Sequence, residues 1–129
     1  MSAASLASSR ESLCHEEKAR LQGNWVYVSG RWPARVCFAG DHFTIHLDSR
    51  GTFMGTFSAD PTQNPGALDL TIDEGPEQYK GLTARCIYNL DGDWLWWCPN
   101  EPGSTERHRT FPLHGEGKFP TIVLRREVQ

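Results

Sequence analysis

The feature that most constrains this chain is a run of short alternating segments bracketed by a tryptophan and a pair of arginines. Gly23-Asn24-Trp25 opens the run and Arg125-Arg126 closes it, near the end of 129 residues. A meander of this kind leaves two sheet edges unpaired unless its first and last strands meet, which closes the sheet into a barrel. An arginine of the last strand then lies over the indole of the first, a contact that contributes on the order of 1 kcal/mol to closure. Which of Arg125 and Arg126 does so is open, because neighbours on a strand point to opposite faces. The bracket speaks for architecture and not for chemistry.

Nine segments read as strands: Asn24–Gly30, Arg35–Ala39, His42–Leu47, Thr52–Ser58, Ala67–Asp73, Leu82–Leu90, Asp93–Cys98, Arg107–Phe111 and Thr121–Arg126. Turn residues separate them, among them Gly40-Asp41, the Pro- and Asn-rich stretch 60–66, and Asp91-Gly92. Phe43, Ile45 and Leu47 alternate with His42, Thr44 and His46, and Leu68, Leu70 and Ile72 alternate with Asp69, Thr71 and Asp73. Such strands have an apolar inner face and a polar outer one. Ahead of them, Ser8 and Glu11 have capping-box spacing, no Pro or Gly interrupts the chain as far as Gln22, and Gly23 is a natural stop. A short, weakly amphipathic helix of about three turns packing over one barrel end is expected. Residues 1–22 form this tail and helix, and residues 23–129 form the barrel. The fold class is all-β, an antiparallel up-and-down barrel of about eight to ten strands.

A formal net charge of -3 without a block of either sign argues against nucleic acid or an anionic membrane as partner. No apolar run approaches a membrane span, and the N-terminal stretch lacks the basic and apolar regions of a signal peptide, so a soluble, cytoplasmic protein is expected. Cys14, Cys37, Cys86 and Cys98 form no CxxC pair and have no zinc-ligand spacing. With Asp91-Gly92 as a two-residue turn, Cys86 faces Trp97 and Cys98 faces Arg85, which puts the two sulfurs on opposite faces. Reduced thiols are expected.

An ordered series of motifs points further. Leu21-Gln22-Gly23-Asn24-Trp25, Gly40-Asp41-His42-Phe43-Thr44, Gly51-Thr52-Phe53, Asp60-Pro61-Thr62 and Asp69-Leu70-Thr71-Ile72-Asp73-Glu74-Gly75-Pro76 follow one another. Lys80-Gly81, Ile87-Tyr88-Asn89-Leu90-Asp91-Gly92-Asp93 and Leu124-Arg125-Arg126-Glu127 complete the series. Over roughly residues 20–127 it resembles a small, uncharacterised family of bacterial lipocalin-like domains. The resemblance implies an antiparallel barrel of lipocalin type and carries no established activity or catalytic residue. This chain departs from the pattern at Trp94-Leu95-Trp96-Trp97-Cys98, where the family alternates apolar with small polar residues.

Trp25, Tyr27, Phe43, Ile45, Tyr88 and Trp97 are the candidate ligand-binding residues, facing inward as either a filled core or the wall of a dry pocket. The expected ligand is a small hydrophobic or aromatic molecule. An enzyme that cyclises or isomerises a small hydrophobic substrate is the alternative, with Tyr27, Tyr88 and Cys86 as acid/base candidates. Trp94 and Trp96 fall on the outer face, where they are covered within the chain, form a homodimer interface, or meet another partner in a structural or assembly role. His42 and His46 share a face but lie about 13 Å apart along a strand, and with His108, His114 and His15 they read as surface residues. Asp69, Asp73 and Glu74 lack the spacing of a calcium loop. No metal or cofactor is expected, and Arg35 and Arg85, which could place a cation near the barrel rim for an anionic substrate, read as solvent-facing.

Overall fold

The computed structural model describes residues 3–112 and 119–128, with side chains from residue 9 onward. The chain begins with α1 (Ala3–Leu21) and continues through β1 (Gly23–Ser29), β2 (Ala34–Ala39), β3 (His42–Leu47) and β4 (Gly51–Asp60). β5 (Gly66–Glu74), a 3-10 turn (Glu77–Tyr79), β6 (Thr83–Asp91), β7 (Trp94–Cys98) and β8 (Ile122–Arg126) follow. Among the described residues, eight antiparallel strands close in sequence order, with β8 pairing back onto β1. The fold is an all-β barrel of lipocalin type, preceded by one helix.

Strand parity explains the closure. On β8, Ile122 and Leu124 are fully buried while Arg125 is exposed, so Arg126 shares the inward phase. Arg126 pairs with Trp25 across the β1–β8 seam, and its guanidinium carbon lies 4.4 Å from the Trp25 ring centroid. Arg125 faces out and lies 5.5 Å from the Trp94 ring. Arg126 also donates to the carbonyls of Arg20 and Gln22, each at 2.6 Å, which satisfies groups left without partners at the helix C-terminus. The Trp25 indole N–H donates to the Leu21 carbonyl at 2.9 Å. One cation and one indole therefore join the last strand, the first strand and the helix.

The helix runs longer than three turns, because docking on the barrel rather than its own amphipathicity holds it. Arg10 pairs with Asp60, Lys18 with Asp41, and the Gln22 amide both accepts from and donates to the Gly40 backbone. These partners are at the end of the barrel that carries the β2–β3, β4–β5 and β6–β7 turns. That end is the closed base, filled by Leu21, Trp25, Phe57, Tyr88 and Leu124, with Phe38 and Phe57 in ring contact at 4.6 Å.

Three expectations are corrected. The segment 107–111 is not a strand: Arg107 meets β6 through its side chain rather than a backbone ladder, beside Ile87 and Tyr88, which β5 and β7 already pair on both sides. Residues 99–109 instead form a strap across the outside of β6. Asn100 Nδ2 donates to the carbonyls of Arg85 and Glu106, and Arg107 donates to the Cys86 carbonyl and to Asp69. Ile87, outward by parity, is thereby buried. The β6–β7 register is displaced: Tyr88 pairs with Trp97 and Ile87 with Cys98, because Gly92-Asp93 and not Asp91-Gly92 is the turn. Moving the turn by one residue moves each partner by two, so every face assignment on this hairpin is unchanged. Tyr27 does not line the cavity. It pairs in register with Leu124 as the last residue of β1 before a β-bulge, and is exposed there with its hydroxyl donating to the Gly30 carbonyl at 2.6 Å.

Candidate functional site

The barrel end opposite the helix is open. It carries the β1–β2, β3–β4, β5–β6 and β7–β8 connections, which surround a cavity of about 480 Å³. That volume lies within the range of roughly 300–1,000 Å³ common for small-molecule sites. The inward residues of β3, β5 and β6 near this end build its wall: Phe43 and Ile45, Leu70 and Ile72, Ala84 and Cys86. Phe53, Tyr79 and Trp97 add aromatic surface, and Phe53 and Tyr79 contact each other at 6.1 Å between centroids. At the mouth, Trp32 meets Phe119 edge to face at 5.9 Å.

Of the expected ligand-binding residues, Phe43, Ile45 and Trp97 come together on this wall. Trp25 and Tyr88 are buried in the closed base and do not line the cavity. Tyr88 is turned toward the helix, where its hydroxyl donates to the Glu17 carboxylate at 2.6 Å. Gly66 makes this possible, since a Cβ on it would sit 2.6 Å from the Tyr88 ring. Burial, followed by the hydrogen bond it donates to the Glu17 carboxylate and the charge of that group, holds the Tyr88 phenol protonated far above its ordinary range.

The proposed acid/base groups do not converge. Tyr27 lies outside, Tyr88 lies in the base, and only Cys86 reaches the cavity. Burial pushes the Cys86 thiol up to about 12, and the nearby Trp97 indole N–H only partly offsets this. That N–H weighs on the ionisation of the sulfur without hydrogen-bond geometry to it, and it is buried with no acceptor. Cys98, on the opposite face and fully buried, is raised to about 11 by burial. All four cysteines are free thiols.

The polar groups at the mouth come from loops. In the β3–β4 turn, Ser49 adopts a left-handed backbone conformation (φ 62°) and the next residue, Arg50, reaches back over Trp32. Its guanidinium carbon is 3.9 Å from the ring centroid. Arg35 and Arg85 are elsewhere: Arg35 is 3.6 Å from Glu127, and Arg85 donates outward to the Ser104 carbonyl. Arg50 was missed because it sits in a turn, where strand periodicity says nothing. The alternation of loop ends in a meander was the available signal, since it places 48–50 at the same end as 31–33.

Trp94 and Trp96 do lie on the outer face, with ring centroids 6.4 Å apart. Trp94 is 38% exposed, enough to leave much of one indole open, and Trp96 is half-buried beside Val123. Among the described residues no group of three or more His, Cys, Asp or Glu side chains is placed to hold a metal ion. His46 Nδ1 lies 2.9 Å from Thr52 Oγ1, and His114 falls outside the described residues. Among the described residues no helix is long and apolar enough to cross a membrane. Comparison with protein-family models, with curated proteins and with solved structures finds no match to the chain.

Proposed function

We propose that this protein binds a small apolar molecule, largely aromatic in character, in the open half of its barrel. The observation that carries the reading is the cavity of about 480 Å³, whose deep wall is apolar and whose charged side chains, among the described residues, are at the mouth. Burial of a ligand's apolar surface there gains roughly 25 cal/mol per Å², and the aromatic side chains favour a flat partner. Phe43, Ile45, Leu70, Ile72 and Trp97 are the contact residues in this reading. Among the described residues, Tyr27 and Tyr88 lie away from the cup and only Cys86 reaches it, which favours the binding reading. The ordered motifs together with the closed barrel support membership of the lipocalin-like bacterial family. Four unpaired thiols fit a reducing compartment such as the cytoplasm.

The test is titration with N-phenyl-1-naphthylamine, a neutral probe whose emission rises in apolar surroundings. A saturable rise with one site per chain is expected. Ala84→Phe, which places a ring in the cavity, should weaken it by about tenfold or more, with thermal unfolding followed in parallel to establish that the variant is folded. No saturable signal, or an unchanged affinity in the folded variant, would refute the cup as the binding site.

A further inference from the structure

We propose that the ligand of this cup carries a carboxylate, received at the mouth by Arg50. The inference rests on the binding reading above and names the chemical class of its ligand. Among the described residues the charged side chains lining the cup are Arg50 and Glu101, and both come from loops rather than the deep wall. A molecule that fills the cup therefore keeps its polar group at the mouth.

Arg50 differs from half of the arginines of this protein. Arg10, Arg20, Arg35, Arg107 and Arg126 are each paired with a carboxylate. Arg50 is paired with none among the described residues, and its one side-chain contact of note is with the Trp32 ring. Stacking occupies the face of the guanidinium and leaves its N–H donors, which project in the plane at the edge. It also restrains a long side chain before any ligand arrives, which lowers the ordering cost of binding. A planar fork of donors held in place matches a carboxylate better than a neutral or cationic group.

The turn supports this geometry. Ser49 is held left-handed, its hydroxyl donates to the Asp48 carbonyl, and the Arg50 N–H donates to Leu47. These bonds fix where the arginine leaves the backbone, on the same side of the barrel mouth as Trp32.

The experiment compares 2-naphthoate with 2-naphthamide, a neutral partner of nearly equal shape, by calorimetric titration of the full chain in low salt. Wild type should bind the acid about tenfold more tightly than the amide, and Arg50→Gln should abolish that preference. The amide should bind both proteins within about twofold, showing that the substitution leaves the cup intact. Equal affinities in wild type, or a preference that survives Arg50→Gln, would overturn the proposal while leaving apolar binding standing. Failure of wild type to bind either compound would overturn the binding function itself, and this inference with it.

Discussion

Replacing Arg126 is the sharpest perturbation of the fold. Its guanidinium makes two 2.6 Å bonds to helix-end carbonyls and covers the fully buried Trp25 ring. Bonds to a charged donor contribute about 1.5–3 kcal/mol when buried, but this side chain is 30% exposed, which places each nearer 1 kcal/mol. The cation over the indole adds about 1 kcal/mol. The bond to Asp93, itself 69% exposed, contributes little. Arg126→Met, which keeps the aliphatic stem, should therefore cost about 3 kcal/mol, and at a urea slope of about 1.5 kcal/mol/M the midpoint should fall by about 2 M. Arg126→Lys retains the charge but cannot serve both carbonyls, so about half that loss is expected. Arg125→Met removes only an outward contact with Trp94 and should stay within about 0.5 kcal/mol. Equilibrium urea unfolding followed by circular dichroism measures all three. A loss below 1 kcal/mol in Arg126→Met, or an equal loss in Arg125→Met, would refute the claim that this residue joins helix, first strand and last strand.

Other consequences are independent of that seam. Gly66→Ala drives a methyl into the Tyr88 ring and breaks its bond to Glu17, so a loss of about 2–3 kcal/mol is expected, measured by thermal unfolding. Asp60 feels burial, which raises its pKa, but bonds from Thr62 and Arg10 prevail and hold it at about 2. Its folded value lies below its unfolded one, so the stability it lends is present above about pH 4 and is lost as pH falls through about 2. Asp60→Asn should cost about 1–2 kcal/mol at pH 7 and flatten the acid limb of stability between those values, whereas an unchanged limb would contradict the assignment. A homodimer built on the outer tryptophans predicts a sedimenting mass of two chains, reduced to one by Trp94→Ala/Trp96→Ala with folding intact. A single-chain mass in wild type would remove that interface.

What was legible in the sequence followed parity. Phe43, Ile45, Leu68, Leu70 and Ile72 announced their burial by alternation, and closure between Trp25 and the terminal arginines could be expected from a meander with no spare edge. Parity also protected the β6–β7 faces from an error in turn position, because a displaced turn shifts partners in steps of two. It failed where the backbone leaves the regular pleat. Tyr27 keeps register with Leu124 but is exposed where the regular pairing of β1 ends, just before the bulge. The segment 107–111 has strand-like composition but meets the barrel through the Arg107 side chain and not through a backbone ladder. The candidate site divided for a related reason: alternation reports which face a side chain takes and not how far along the barrel it lies. Trp25 and Tyr88 are inward yet belong to the closed base, while Phe43, Ile45 and Trp97 are inward at the open end. Arg50 lies on a turn, where only the alternation of loop ends could have linked it to Trp32.

The claim at the centre of this account is that the barrel is closed at the helix and open to ligand at the other end. The most direct measurement is a ¹H–¹⁵N NMR titration with N-phenyl-1-naphthylamine. Saturable shifts should concentrate at Ile45, Phe53, Leu70 and Ala84 and be small at Trp25 and Tyr88. Shifts centred on the base or on Trp94 and Trp96, or none at all, would contradict it.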